Sequence, residues 1–211
     1  MLPMISTVFF DLDDTLYPAS NGLWREIKHR MNIYMETRLG IAPEVVPTLR
    51  EKFFLQYGTT LRGLQAHYAV DELDYLAFVH DLPLRNFIAP DPSLRAALEA
   101  CPSRKFIFTN ADAGHAERVL AVLGVRDCFE GIIDVLAISP YCKPMPESFE
   151  IALKLAGNPA PGECAMIDDL PRTTKAAREA GLYGILFGKN EAHPDADAVM
   201  NDWAQLNDIV K

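Results

Sequence analysis

Two pairs of acidic residues each follow a short apolar run in this sequence. Asp11 and Asp13 come directly after Val8–Phe10, and Asp168 and Asp169 follow a second apolar run. Runs of β-branched and aromatic residues of this length are typical of strands that are buried on both faces. If the two strands are neighbours, the carboxylates converge and repel one another unless a cation lies between them. Carboxylate oxygens are the ligands that Mg²⁺ prefers, so the sequence predicts a magnesium site.

The same residues are suited to phosphoryl chemistry. A carboxylate can attack phosphorus and form an aspartyl-phosphate, and a second carboxylate two residues on is well placed as general acid and then base. Asp11 and Asp13 are the candidates for these two roles, and Lys143 can neutralise the nucleophile or hold the phosphate. Thr109 and Asn110 offer a hydroxyl and an amide to phosphate oxygens. Each residue alone would more often be a cap, a turn residue or a surface charge, and it is the ensemble that favours a site.

The composition excludes some classes of function. A formal charge of −9, from 29 acidic and 20 basic residues, argues against a general binder of nucleic-acid polymers or anionic membranes. No run approaches the roughly 18 apolar residues of a membrane span. Met1–Met4 leads straight into the first strand, which leaves no room for a signal peptide and predicts a cytoplasmic protein. The scattered cysteines, without a CxxC pair, are expected to be free thiols.

The elements that must position these residues alternate between strands and helices beyond residue 87. Strands are predicted over 105–108, 131–138, 164–167 and 183–187, and helices over 93–100, 114–123, 146–157 and 173–181. The spacing of Val199, Trp203, Leu206 and Val210 predicts a C-terminal helix. Alternation of this kind predicts an α/β fold with a parallel sheet, whose carboxyl edge is where ligands bind. By contrast, residues 18–86 carry apolar residues at helical spacing and no strand alternation.

In chain order, the motifs are Asp11-Leu12-Asp13-Asp14-Thr15, Thr109-Asn110, Lys143-Pro144 and Asp168-Asp169. Together they resemble the four motifs of the haloacid dehalogenase-like hydrolase superfamily, over essentially the whole chain. The resemblance implies a Rossmann-like three-layer core with a parallel sheet and an all-helical cap inserted after the first strand. The predicted domains are therefore a catalytic core of residues 1–17 and 87–211 and a cap of residues 18–86.

The resemblance also implies catalytic roles. Asp11 is expected to be the nucleophile, Asp13 the general acid and base, and Thr109 a phosphate ligand. Lys143 is expected to hold Asp11 and the phosphate. Members of the superfamily that displace halide lack an acid at the position of Asp13, and the transport ATPases carry threonine there. An aspartate favours phosphate hydrolysis, because the leaving alkoxide needs a proton.

For the metal, the resemblance implies Mg²⁺ held by Asp11, the main-chain carbonyl of Asp13 and the late acidic pair. Asp169 best matches the usual direct ligand, and Asp168 is then a direct or water-mediated partner. One departure from the pattern is Thr173, where related sequences often carry asparagine or aspartate. This departure affects the outer shell of the metal site and not the nucleophile.

Three segments of the helical block, residues 16–24, 35–40 and 57–64, look like the pyrimidine 5′-nucleotidase group. That likeness implies a nucleoside monophosphate as substrate. A nucleoside needs an aromatic face and a few hydrogen-bond partners, which Tyr17, Arg62 and His67 can supply, with Asn110 on the phosphate. The alternative is that the tyrosine packs against its neighbours and that Arg62 and His67 are solvated.

Other readings remain open at this stage. Within the same enzyme class, the substrate could be a sugar phosphate or phosphoglycolate. A phospho-accepting signalling module also combines acids, a threonine and a lysine on a parallel sheet, but it has no large helical insert. A catalytically silent binding protein is disfavoured by the intact pair of Asp11 and Asp13. The expected partner is a small phosphomonoester, with no nucleic-acid polymer and no membrane, and the protein is expected to be a monomer or a homodimer.

Overall fold

The computed structural model describes residues 5–210 and contains a parallel sheet flanked by helices. The strands are β1 (Thr7–Phe10), β2 (Arg104–Phe108), β3 (Gly131–Ile133), β4 (Cys164–Asp168), β5 (Tyr183–Phe187) and β6 (Ala198–Met200). The helices are α1 (Leu23–Thr37), α2 (Val46–Tyr57), α3 (Thr60–His67), α4 (Glu72–Val79), α5 (Pro92–Ala100), α6 (Ala113–Leu123), α7 (Pro146–Leu155), α8 (Pro171–Glu179) and α9 (Leu206–Ile209). The predicted α/β fold with a parallel sheet is confirmed.

The sheet reverses its strand order next to β1. The spatial order is β3-β2-β1-β4-β5-β6, and every neighbouring pair is parallel. Phe10 at the end of β1 lies level with Ile107 of β2 and Ile167 of β4. The chain thus runs outward from β1 through β2 to β3 and then returns to the other side of β1. In open α/β sheets, ligands bind at the carboxyl ends of the strands at such a switch point.

Strand β1 is buried on both faces, which explains its unbroken run of apolar residues. Successive side chains of a strand point to opposite faces. On one face, the ring centroid of Phe9 lies 6.0 Å from that of Phe106 and 6.2 Å from that of Phe108. On the other, Phe10 meets Phe129 edge to face at 5.5 Å. Packing on both faces therefore fixes the central strand, and with it the position of the residues that directly follow it.

The chain divides into two compact units, one of residues 1–18 and 88–211 and one of residues 19–87. The second unit contains α1, α2, α3 and α4. Helices α2 and α3 approach closely at Gly63, where an added Cβ would lie 2.3 Å from the Cβ and Cγ atoms of Phe53. Elsewhere in this unit, Tyr34 of α1 meets Tyr75 of α4 edge to face at 5.0 Å and donates a hydrogen bond to Asp74.

Two predicted elements differ from the structure. The strand predicted over 131–138 ends at Ile133, because Asp134 then accepts hydrogen bonds from the main-chain nitrogens of Ala113 and Ala137 and starts a turn. The prediction of one C-terminal helix around Val199 to Val210 is wrong at its beginning. Residues 198–200 form β6, which pairs with β5.

The C-terminal helical turns begin only after Asp202. Its side chain accepts from the main-chain nitrogen of Ala204 and forms a reciprocal capping box with Gln205. The ring of Trp203 in this turn stacks on that of Phe187 at 4.6 Å. A cap at this position starts a helix there, so the upstream residues are available to pair with the sheet.

Within residues 5–210, no helix is both long enough and apolar enough to span a bilayer. The prediction about Met1–Met4 lies outside the described residues.

Candidate active site

The first group of the site lies where β1 and β4 end side by side. The main-chain nitrogen of Asp11 donates to the carbonyl of Ile167 at 2.9 Å, so strand pairing continues to the first acidic residue. Asp168 is the last residue of β4, and Asp169 follows it. One carboxylate oxygen from each of these three aspartates lies within 4.8 Å of the others. The structure therefore brings together residues that the sequence places at two distant strand ends.

Lys143 lies between two of these carboxylates. Its ammonium nitrogen is 2.7 Å from Oδ1 of Asp11 and 2.8 Å from Oδ2 of Asp168. The residue is only 2% exposed. Burial alone would lower the pKa of Lys143, but the two carboxylates more than offset it and raise that pKa. Lys143 therefore carries a fixed positive charge in contact with the candidate nucleophile.

Asn110 fixes the main chain at Lys143. Its side-chain oxygen accepts from the main-chain nitrogen of Lys143 at 2.8 Å, and its side-chain nitrogen donates to the carbonyl of the same residue at 3.0 Å. Thr109, the residue before it, is buried at the end of β2, and its hydroxyl oxygen accepts from the main-chain nitrogen of Ala111 at 3.0 Å. The Thr109-Asn110 motif thus couples the end of β2 to the lysine loop.

The cluster has three carboxyl groups and one ammonium group. Burial raises the pKa of Asp11 to about 7, and the neighbouring Asp168 adds to the shift. Burial likewise raises the pKa of Asp169 to about 8, again with a contribution from Asp168. Three carboxylates around one ammonium group provide oxygen ligands and excess negative charge, which is the donor set that hard divalent cations require. The residues present therefore fit a divalent cation.

The carboxylate of Asp13 has different surroundings from that of Asp11. The hydroxyl of Tyr17 donates a hydrogen bond to Oδ1 of Asp13, and Nε2 of His115 lies 3.0 Å from the same oxygen. Asp11 instead accepts from the hydroxyl of Thr15 at 3.2 Å, besides its contact with Lys143. Burial and the nearby Asp13 raise the pKa of Tyr17 well above its ordinary value, so the phenol remains a donor. Two acids only two residues apart thus have separate partners.

His115 was not assigned a role from the sequence, and the structure places it directly on the candidate general acid. It is fully buried in the first turn of α6, where its main-chain nitrogen donates to the N-cap residue Asp112 at 2.9 Å. This helix starts just after the Thr109-Asn110 motif. The position of His115 in the sequence could have indicated a role in the site. The first turn of a helix that follows a strand lies at the carboxyl edge of the sheet.

The two candidate residues of the helical unit make their own contacts there. Nη1 of Arg62 lies 2.7 Å from Oε1 of Glu72 and donates to Gln65 at 2.8 Å. The ring of His67 stacks on Phe53 at 5.2 Å, and its Nε2 lies 2.7 Å from the hydroxyl of Tyr57. Arg62 is buried rather than solvated. The assignment of Arg62 and His67 to substrate binding stays a prediction.

This chain is similar to known proteins in sequence and in fold. Phosphate metabolism protein 8 of Saccharomyces cerevisiae is 29% identical over 198 residues, covering 87% of this chain and 62% of the yeast protein. The chain thus spans less than two thirds of that relative's length. A predicted phosphoglycolate phosphatase from Haemophilus somnus has the same fold, with a TM-score of 0.64, 18% identity and 100% of both chains covered.

The L-2-haloacid dehalogenase of Xanthobacter autotrophicus also shares the fold, with a TM-score of 0.62, 17% identity and 98% of both chains covered. A family model described as haloacid dehalogenase-like hydrolase matches residues 5–181, which include all four motifs. On this match, the chain belongs to the family of haloacid dehalogenase-like hydrolases.

Proposed function

We propose that this protein is a divalent-metal-dependent phosphomonoester hydrolase that works through an aspartyl-phosphate on Asp11. The observation that carries the proposal is the different environment of the two acids. Asp11 lies against the ammonium group of Lys143, whereas Asp13 lies against Tyr17 and His115. A nucleophile and a proton carrier need different partners, and this arrangement supplies them.

In the first half of the reaction, a carboxylate oxygen of Asp11 attacks the phosphorus. The bond between phosphorus and the ester oxygen breaks, and the leaving alkoxide takes a proton from Asp13. Lys143 holds Asp11 and compensates negative charge on the phosphoryl oxygens. Thr109 is proposed to donate its hydroxyl to one of these oxygens. The products of this half are the free alcohol and the aspartyl-phosphate.

In the second half, Asp13 is a carboxylate and acts as base. It takes a proton from water, and the water oxygen attacks the phosphorus of the aspartyl-phosphate. The bond between phosphorus and Asp11 breaks, which releases inorganic phosphate and restores the carboxylate of Asp11. The proton that Asp13 gave to the alcohol in the first half is thus returned to it in the second.

We propose Mg²⁺ as the cation, held by Asp11, the main-chain carbonyl of Asp13 and Asp169. When bound, it would neutralise the phosphate and orient it toward the nucleophile. Asp168 is proposed as a direct or water-mediated partner. Its oxygens accept from Lys143 and, at 2.9 Å, from the main-chain nitrogen of Leu170, so its carboxylate is held in one orientation.

The aspartate at position 13 separates this proposal from a dehalogenase reaction on the same fold. A halide ion leaves without a proton, whereas an alkoxide needs one. The names of the yeast relative and of the Haemophilus structure both refer to phosphate chemistry, which supports a phosphatase. The proposed substrate is therefore a small phosphate ester.

For the substrate itself, we propose a nucleoside monophosphate, preferentially a pyrimidine one. The support is the resemblance of residues 16–24, 35–40 and 57–64 to the pyrimidine 5′-nucleotidase group. Recognition of the nucleoside by Tyr17, Arg62 and His67 is part of this proposal. A sugar phosphate or phosphoglycolate is the alternative within the same reaction type.

The test is release of inorganic phosphate from a panel of pyrimidine and purine monophosphates, sugar phosphates and phosphoglycolate, with Mg²⁺ or with a chelator. The proposal expects turnover that requires Mg²⁺ and is fastest with pyrimidine monophosphates. Equal rates on all substrates would overturn the nucleotidase part alone. No phosphate release from any substrate in the presence of Mg²⁺ would overturn the reaction type.

A further inference from the structure

Asp13 is the proposed proton carrier of the reaction. It must deliver a proton to the leaving oxygen and later take one from water, so its carboxyl group must keep one orientation through both steps. The carboxylate of an aspartate on a loop can rotate about two bonds. Other groups must therefore hold it, and the side chains of Tyr17 and His115 both contact its Oδ1.

We propose that Tyr17 and His115 are positioning residues that fix the carboxyl group of Asp13 for proton transfer. This inference rests on the proposed phosphatase reaction and adds two residues to it. Neither residue acts on the substrate in this scheme. It replaces one part of that proposal, because it assigns the hydroxyl of Tyr17 to Asp13 and no longer to the nucleoside.

The geometry suits this role because the two partners come from different parts of the core. Tyr17 lies four residues after Asp13 on the same loop, and His115 lies 102 residues away in the first turn of α6. Tyr17 is 3% exposed and His115 is 0% exposed, so packing holds both side chains in place. The carboxylate of Asp13 therefore cannot rotate without breaking its contacts with both residues.

The hydrogen-bond chemistry also suits Oδ1 of Asp13 to being held by both residues. An ionised carboxylate only accepts hydrogen bonds, so beside it the imidazole carries its proton on Nε2 and donates. The phenol of Tyr17 donates to the same oxygen. An oxygen that accepts two hydrogen bonds is held in place and is the poorer site for a further proton.

The test compares two aryl phosphates whose leaving groups differ in how much they need a proton from Asp13. Phenyl phosphate has a basic leaving group that needs a proton, whereas p-nitrophenyl phosphate has a leaving group that departs as the anion. Neither contains a nucleoside, so loss of a nucleoside contact affects neither. The quantity measured is kcat/KM with Mg²⁺, because it reports only the steps up to formation of the aspartyl-phosphate.

The variants are Tyr17→Phe, His115→Leu and His115→Gln. Tyr17→Phe and His115→Leu are each expected to lower kcat/KM on phenyl phosphate about ten-fold more than on p-nitrophenyl phosphate, because a misplaced acid penalises the basic leaving group most. His115→Gln, which keeps a donor near the position of Nε2, is expected to recover most of the loss. The matched control is Tyr34→Phe, which removes another hydrogen bond from tyrosine to aspartate, in the helical unit.

If His115→Leu does not fold, Tyr17→Phe still decides the outcome, since it removes one oxygen and keeps the ring. Equal losses on the two aryl phosphates, or no loss, with an active wild-type protein would overturn this inference and leave the proposed function standing. A loss confined to nucleoside monophosphates would also overturn it and return Tyr17 to substrate binding. A wild-type protein inactive on every phosphate ester would overturn the proposed function itself, and this inference with it.

Discussion

The ammonium nitrogen of Lys143 lies 2.7 Å from Oδ1 of Asp11, although 132 residues separate the two in the chain. The same nitrogen contacts Asp168, so one buried positive charge joins the ends of the two central strands. Removing one partner of a buried ion pair leaves the other without compensation. This relationship makes Lys143 the natural first target for mutation.

Replacing Lys143 with methionine keeps an unbranched side chain and removes its charge. We expect kcat/KM for p-nitrophenyl phosphate to fall by about 100-fold or more, because a preorganised charge at the reacting group is lost. Circular dichroism would establish that the variant is folded. Lys105→Met is the matched control, since the ammonium group of Lys105 donates to the main-chain carbonyls of Cys101 and Ser103. A Lys143→Met enzyme with the activity of the control would contradict the role of Lys143.

A mutation of Asn110 tests whether this residue positions Lys143 or binds the phosphate. Its two hydrogen bonds go to the main chain of Lys143, so Asn110→Ala is expected to lower kcat about ten-fold by loosening the lysine loop. Inhibition by inorganic phosphate is expected to change little. Asn207→Ala, which removes a comparable bond to the carbonyl of Ala97, serves as control. Unchanged kcat with much weaker phosphate inhibition would show instead that Asn110 binds the phosphate.

The acidic cluster predicts a dependence of stability on pH and metal. In the folded metal-free protein, the pKa of Asp11 is about 7 and that of Asp169 about 8, both above the ordinary value of 3.8. Between about pH 4 and pH 8 the folded chain therefore holds protons that the unfolded chain has released, and its free energy of unfolding falls as the pH rises. A cation replaces those protons. Mg²⁺ is thus expected to raise the melting temperature more near pH 8 than near pH 5.5.

Thermal unfolding with Mg²⁺ or with a chelator at the two pH values measures this effect. Asp169→Asn is expected to lose most of the Mg²⁺-induced increase in melting temperature at the higher pH. Asp127→Asn, at an exposed ion pair with Arg95, should keep the increase in full. The same increase in the Asp169→Asn variant as in the wild type would contradict the metal assignment.

The close contact between α2 and α3 predicts that any side chain at Gly63 lowers the stability of the protein. A methyl group at Gly63 would lie 2.3 Å from the Cβ atom of Phe53, so Gly63→Ala must push the helices apart. We expect a decrease of about 1–3 kcal/mol in the free energy of unfolding, measured by denaturant titration. At Gly162 an added Cβ meets nothing within 4 Å, and Gly162→Ala should leave stability nearly unchanged. Equal stability of the two variants would contradict this packing.

Much of the core could be predicted because its signals are local. The apolar run before Asp11 and the one before Asp168 each indicated a buried strand, and parallel strands bring their carboxyl ends to one edge. The order of the motifs then indicated the family. Local patterns do not contain which side chains meet across the sheet, so the contact between His115 and Asp13 could not be predicted.

What the sequence does not predict has the same physical origin. Val199 fits a helical spacing with Trp203, but a short apolar run is compatible with either element, and pairing with β5 decides in favour of a strand. The sequence predicts Arg62 as a substrate ligand, with a solvated residue as the alternative, and it does not predict the buried ion pair with Glu72. Partners ten residues apart on different helices depend on tertiary packing, which no local pattern records.

The central claim is that Asp11 forms a covalent aspartyl-phosphate. Asp13→Asn is expected to slow hydrolysis of the intermediate, so this variant, mixed with p-nitrophenyl phosphate and Mg²⁺ and quenched in acid, should accumulate it. Mass spectrometry is expected to find one phosphoryl group on the peptide that contains Asp11, removable with hydroxylamine. The double variant Asp11→Asn, Asp13→Asn should show none. Phosphorylation of another residue, or turnover by Asp11→Asn at a rate near that of the wild type, would contradict the account.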